Sequence, residues 1–143
     1  DEPTTALDVT TQAQVLKLMK EIKDKLGTTI MLVTHDLAVA SQVADRVVVM
    51  YAGHIVEDAE VHEIFSQPKH PYTKGLLACI PTGTRDGKRL TPIGGTIPDL
   101  TLRKEWCQFQ PRCPFAMDVC SHQVPQLKEV GKDHRVACFL YGQ

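Results

Sequence analysis

The chain has 143 residues with near-balanced charge, 16 basic against 17 acidic side chains, and 43% of its residues are hydrophobic. That composition is ordinary for a folded domain and names no function. The basic residues are scattered, which excludes the electrostatic footprint of a phosphate-backbone binder, and nucleic acid is not expected as a partner. The longest apolar runs, residues 30–33 and 47–52, fall far short of the roughly 18 to 20 residues that span a bilayer. Any membrane role is therefore expected to come through a membrane-embedded partner. The chain opens Asp1-Glu2-Pro3 without a methionine or a leader-like segment, and this start reads as cut.

In chain order, Asp8 reads as a helix cap, and Ala13, Leu16, Met19, Ile22 and Leu26 recur at steps of three or four, predicting an amphipathic helix of about five turns. Gly27 and the preceding lysines supply its stop. Residues 28–33 are β-branched and apolar on both faces, which predicts a strand buried in a parallel sheet. Asp36 caps a second, short helix through Ala44. Arg46 to Ala52 forms another apolar strand, and Ala52-Gly53 turns it into His54-Ile55-Val56-Glu57 as a hairpin. Two short helices follow, Val61 to Phe65 and Tyr72 to Cys79, on either side of Gln67-Pro68-Lys69-His70-Pro71. Residues 81–106, punctuated by glycine and proline, read as loop. The last segment, 107–143, holds Cys107, Cys113, Cys120 and Cys138, whereas Cys79 stands apart and is expected to be buried on its helix. A boundary falls near residue 80.

Asp1-Glu2, then Pro3-Thr4-Thr5-Ala6-Leu7-Asp8, a helix, an apolar strand and Thr34-His35-Asp36 together resemble the second half of an ABC ATPase nucleotide-binding domain. The resemblance implies an α/β fold: the C-terminal half of a P-loop ATPase domain, with parallel strands and helices over residues 1–80, followed by a small cysteine-rich, loop-rich lobe over 81–143. It implies that Asp1 supports Mg²⁺ through water, that Glu2 polarises the attacking water and that His35 contacts the γ-phosphate. Asp8 ends the loop that reaches across an ATPase dimer. The residue types suit the chemistry. Mg²⁺ is a hard cation held by one or two carboxylates, and phosphoryl transfer is chiefly positioning and electrostatics. A histidine at the C-terminal end of a parallel strand lies where α/β sheets place their ligands. The chain has no G-x-x-x-x-G-K-[ST] loop and no LSGGQ segment, so it is not expected to hydrolyse ATP alone. A sheet without its full set of strands exposes apolar surface, and oligomerisation is expected.

His70-Pro71-Tyr72-Thr73-Lys74-Gly75-Leu76-Leu77 and Thr91-Pro92-Ile93-Gly94-Gly95-Thr96-Ile97-Pro98-Asp99-Leu100 resemble the extension that follows the ATPase core in dipeptide and oligopeptide importers. The implied role is to energise peptide uptake at the cytoplasmic face of the membrane. The implied partners are a permease pair, a second ATPase subunit and, indirectly, an extracytoplasmic peptide-binding protein. Nickel and some sugar importers share this architecture.

The four cysteines follow C-x5-C-x6-C-x17-C, without the paired C-x2-4-C knuckles usual for zinc. Four thiolates at irregular spacing with a Cys-Pro step suit an iron-sulfur cluster better, and the resemblance implies a [4Fe–4S] cluster on Cys107, Cys113, Cys120 and Cys138. Zinc, disulfides and free thiols remain the alternatives, and a metal-binding or interaction module is the alternative function. A cluster would stabilise a lobe of about 40 residues that buries little apolar surface. His122 and His134 read as exposed loop histidines, and Trp106, Phe109, Phe115 and Phe139 as the lobe's small core.

Overall fold

The computed structural model describes residues 1–80, 92–101 and 105–142. They form a mixed α/β structure in two compact units, 1–44 and 45–143. Of the loop expected at 81–106, residues 81–91, with Gly83 and Gly87, and residues 102–104 lie outside the described residues.

In the first unit, α1 runs Val9–Leu26. Asp8 sits in extended conformation and accepts the amides of Thr10 and Thr11, both at 3.0 Å, which satisfies two of the donors a helix start leaves open. Gly27 ends the helix at φ 62°, a conformation glycine adopts without the penalty a Cβ would bring. Of the expected apolar stripe, only Leu16 is buried; Ile22 and Leu26 stay exposed. α2, Leu37–Val43, is capped by Asp36 and buries Val39.

The expected strand at residues 28–33 is not formed. Among the described residues no ladder pairs with it, Met31 is 87% exposed, and its tie to Glu2 is one bond from the Glu2 amide to the Val33 carbonyl, 2.8 Å. An apolar parallel strand is stable only between neighbours that satisfy its backbone, so sequence preference alone does not make one.

The second unit contains a four-stranded sheet in the order β1-β2-β4-β3, built from β1 Arg46–Tyr51, β2 His54–Glu60, β3 Lys128–Gly131 and β4 His134–Val136. Every pairing is antiparallel, as the expected β1–β2 hairpin requires, and among the described residues the expected parallel strands do not appear. The β1–β2 turn places Ala52 and Gly53 at φ 49° and 80°, two successive left-handed residues whose twist matches a hairpin. α3, Val61–Ser66, and α4, Pro71–Ala78, follow. The core gathers Val49, Tyr51, Val56, Ala59, Ile64 and Phe109. Tyr51, Tyr72 and Phe109 form a three-ring cluster with centroids 4.7 to 5.5 Å apart. Phe109 is 3% exposed, but Trp106 and Phe115 stand at 37% and 54%, so the lobe's small core is not built from all four aromatics. Cys79 is half-buried instead of buried.

Candidate functional site

The first unit brings together two of the residues expected to act on nucleotide. Glu2 Oε1 and His35 Nδ1 lie 2.7 Å apart across 33 positions of sequence. The other carboxylate oxygen, Oε2, accepts the Thr5 hydroxyl at 3.0 Å. The His35 contact, followed by the Thr5 hydroxyl, holds the Glu2 carboxyl below its ordinary range. His35 is correspondingly raised, through its hydrogen bond to Glu2 and then through the Glu2 charge, with Asp36 adding to it. Both groups are open to solvent, so the pairing is an orienting contact rather than a source of stability. Asp1 is exposed beside Glu2. A hard carboxylate oxygen there suits a water-bridged Mg²⁺ by donor type.

Asp8 is fully engaged within its own helix start. Besides the two amides on Oδ1, its Oδ2 accepts the Thr11 hydroxyl at 2.7 Å. The Thr11 amide and hydroxyl together hold its carboxyl low. In this arrangement its carboxylate serves α1.

The cysteine lobe differs from the expectation. Cys107, Cys113, Cys120 and Cys138 are all free thiols. The Cys107 amide donates to the Cys120 carbonyl at 3.1 Å, and the thiols sense one another electrostatically, Cys107 feeling Cys120 and Cys138, and Cys113 feeling Cys120. Yet among the described residues no three His, Cys, Asp or Glu side chains are grouped closely enough to hold a metal ion, so the arrangement does not support the expected [4Fe–4S] cluster or a zinc ion. Burial pushes Cys107 up to about 11 and also raises Cys113 and Cys138, so in this arrangement these groups are thiols.

Two buried carboxylates to which the sequence reading gave no role, Glu57 and Asp58, organise the second unit together with His70 and His134. Glu57, fully buried on β2, accepts the Lys69 amide at 2.6 Å, the His70 amide at 3.0 Å and the His134 ring nitrogen Nε2 at 2.7 Å. His134 is therefore 2% exposed, a buried partner rather than a loop histidine, whereas His122 is exposed as expected. His70 Nδ1 accepts the Tyr72 amide at 3.0 Å and caps α4, with Pro71 at the first helical position. Burial pushes His70 down to about 4, against the pull of Glu57. Asp58, beside Glu57, joins three strands by accepting Arg46 Nε at 2.6 Å and Arg135 from β4. Burial alone would raise its carboxyl, but the two guanidiniums outweigh burial and the net direction is down.

Arg112, from the Pro-Arg-Cys-Pro step, donates Nε to the Gly94 carbonyl at 2.8 Å, Nη2 to the Ile93 carbonyl at 3.0 Å and Nη1 to the Tyr51 hydroxyl at 3.3 Å. Ile93 in turn lies against Gly75, where an added Cβ would meet Ile93 Cγ1 at 2.8 Å. A charged residue directly before the Cys113-Pro114 step was the signal available in the sequence.

Residues 56–120, which contain most of this arrangement, match the family model described as the C-terminal region of oligopeptide/dipeptide transporters. Along nearly its full length the chain is similar to ATP-binding proteins of peptide transport. The oligopeptide transport ATP-binding protein AppD of Bacillus subtilis is 51% identical over 99% of the chain, and the dipeptide transport ATP-binding protein DppD of the same organism is 52% identical over all of it. Residues 56–120 thus carry the oligopeptide/dipeptide transporter C-terminal region, within a chain similar throughout to ATP-binding proteins of peptide transport. A further relative in this transporter family, the oligopeptide transport ATP-binding protein OppD of Mycobacterium tuberculosis, is 47% identical over 96% of the chain. The chain spans less than half the length of these relatives, 43% of AppD and DppD and 23% of OppD. No helix among the described residues is long and apolar enough to cross a membrane.

Proposed function

We propose that this chain is the C-terminal part of the ATP-hydrolysing subunit of a peptide-importing ABC transporter. In this reading residues 1–80 end the nucleotide-binding domain and 81–143 form the transporter-type lobe, a division by resemblance rather than by packing. The subunit works at the cytoplasmic face of the membrane against a permease pair and a second ATPase subunit, and receives its cargo indirectly from a peptide-binding protein. The chain alone does not hydrolyse ATP, because its sequence contains no phosphate-binding loop.

The observation that carries the catalytic part of the reading is the 2.7 Å contact between Glu2 and His35. ATP with Mg²⁺, supported through water on Asp1, supplies the phosphoryl group when bound. The lowered Glu2 carboxyl is ionised at neutral pH and accepts a proton or hydrogen bond from a water. The raised His35 ring holds a proton more readily and presents a donor to phosphate oxygen. Asp8, in this reading, contributes to the cross-dimer loop through the backbone that its cap fixes, since its carboxylate is engaged with α1.

In the complete ATP-binding subunit, Glu2→Gln is expected to lower kcat at least about 100-fold with nucleotide binding retained. Full turnover in that variant would overturn the assignment of Glu2. The 143-residue chain mixed with ATP and Mg²⁺ is expected to release no phosphate; sustained release would show an autonomous enzyme.

A further inference from the structure

Nothing in the assignment of Glu2 and His35 explains what aims the carboxylate. Glu2 is exposed, and an unrestrained glutamate there would sample several rotamers, of which few place an oxygen against His35. Its restraint comes from the short loop that follows. The Thr5 amide donates to the Glu2 carbonyl at 3.2 Å and the Leu7 amide to the Thr4 carbonyl at 3.2 Å, two successive turns that fold residues 2–7 back on themselves. Glu2 and Ala6 take left-handed backbone angles, φ 40° and 73°, which non-glycine residues adopt only when their surroundings impose them. The Glu2 amide is itself held by the Val33 carbonyl, two residues before His35. From the other side, Gln12 on α1 donates to the hydroxyl of Thr4, which is 7% exposed. The loop is thus fixed at both ends, and what it delivers is the Thr5 hydroxyl, 3.0 Å from Glu2 Oε2.

We propose that Thr5 is a positioning residue for Glu2, its hydroxyl fixing one carboxylate oxygen so that the other meets His35. This rests on the reading of Glu2 as the group that orients the attacking water. Each carboxylate oxygen has two lone pairs, so a single donor on Oε2 and a single partner on Oε1 fix the carboxylate plane and leave acceptor capacity for that water. A hydroxyl suits this role because it donates without adding charge, so the carboxylate is oriented without being neutralised by a cation.

The assignment makes Thr5→Val and Thr5→Ser behave differently although both keep the backbone turn. The first readout is the titration of the His35 ring, followed by NMR in the 143-residue chain, where Glu2 and Asp36 are the acidic groups acting on that ring. The wild type is expected to titrate above an ordinary histidine, and Glu2→Gln to bring the midpoint down. Thr5→Val is expected to move it part of the way down, because a carboxylate free to swing spends less time on the ring, and Thr5→Ser is expected to keep it. The second readout is steady-state hydrolysis by the complete subunit, in which Thr5→Val lowers kcat roughly three- to tenfold with KM for ATP nearly unchanged, and Thr5→Ser restores it. A Thr5→Val midpoint and kcat equal to wild type would overturn the role of Thr5. Equal loss in Thr5→Ser and Thr5→Val would also overturn it, assigning the effect to the turn instead of the hydroxyl. If Glu2→Gln also left kcat unchanged, the failure would belong to the catalytic reading of Glu2, a result separable from a failure of Thr5 alone.

Discussion

Replacing Glu57 with alanine tests the organisation of the second unit most directly. The side chain is wholly buried and receives three donors, two of which have no route to water once it is gone: the His70 amide and the His134 ring, each from a residue 2% exposed. The third, the Lys69 amide, belongs to a half-buried residue and can hydrate. A buried donor left without a partner costs about 1–3 kcal/mol, and removing one member of a buried hydrogen-bonded pair about 3–5 kcal/mol. The expected loss for Glu57→Ala is therefore about 3–5 kcal/mol, read as a shift in the urea midpoint followed through Trp106 fluorescence. A cycle with His134→Ala separates the two jobs of Glu57, holding β4 and holding the turn before α4. The double mutant should recover about 1–3 kcal/mol relative to the sum of the singles, because neither leaves the other's partner stranded. Hydrogen exchange at the His70 and Tyr72 amides should quicken in Glu57→Ala and not in His134→Ala. A loss below about 1 kcal/mol, the lower end for one stranded donor, or exchange equally fast in both variants, would refute the view that Glu57 anchors the turn.

Three further outcomes follow from the same geometry. His70 is held near 4 by burial while an unfolded histidine titrates near 6.5, so the unfolded chain binds more protons between those values; stability should rise through that window and be complete above it, with about 3 kcal/mol at stake. His70→Asn, which retains an acceptor for the Tyr72 amide, should flatten the acid limb of the unfolding curve, and an unchanged limb would refute the assignment. Cys107, pushed up to about 11 from an ordinary 9.0, should alkylate at pH 8 about a hundredfold more slowly than a cysteine in a short peptide; equal rates would place its thiol in solvent. Gly75→Ala should cost about 1–2 kcal/mol through collision with Ile93, and Ile93→Ala in the same chain should reduce that penalty, whereas additive losses would show that the two residues do not touch.

How much of this was legible in the sequence depends on whether a feature is local. α1 was readable because its cap, its stripe and its stop all lie within the segment, and Asp8, Leu16 and Gly27 do what their positions announce. The β1–β2 hairpin was readable for the same reason, Ala52-Gly53 lying between two apolar runs. The strand expected at 28–33 failed because a parallel strand is a property of its neighbours. The β3–β4 hairpin was missed: β4 has only three residues, and its turn rests on Asp133 at φ 54°, a residue that tolerates the left-handed region without advertising it as glycine does. His134 was misread because its burial is imposed by Glu57, 77 positions away. In the first unit, Glu2 and His35 were named from a motif that does not itself announce their contact, and the hydroxyl beside them drew no attention because a threonine in a loop has many ordinary uses.

The short motifs of the second unit are each weak signals, and the contacts show why their order and spacing nonetheless carry information. Every one of them is half of a pairing. His70 needs Glu57 to fix the amide that precedes α4. Gly75 is small where Ile93 approaches, and the Ile93 and Gly94 carbonyls face outward from their own segment to meet Arg112. Arg112 in turn lies 5.9 Å above the Tyr51 ring, which packs on Tyr72 and Phe109 and so returns to the helix that His70 caps. A substitution at any one of these positions leaves a partner unsatisfied or a gap unfilled elsewhere in the knot. A chain that keeps one of these residues is therefore under physical pressure to keep the rest, at separations set by how far each segment must travel to reach Tyr51. That closure, more than any single residue type, separates His-Pro-Tyr in this setting from the same tripeptide in an arbitrary loop.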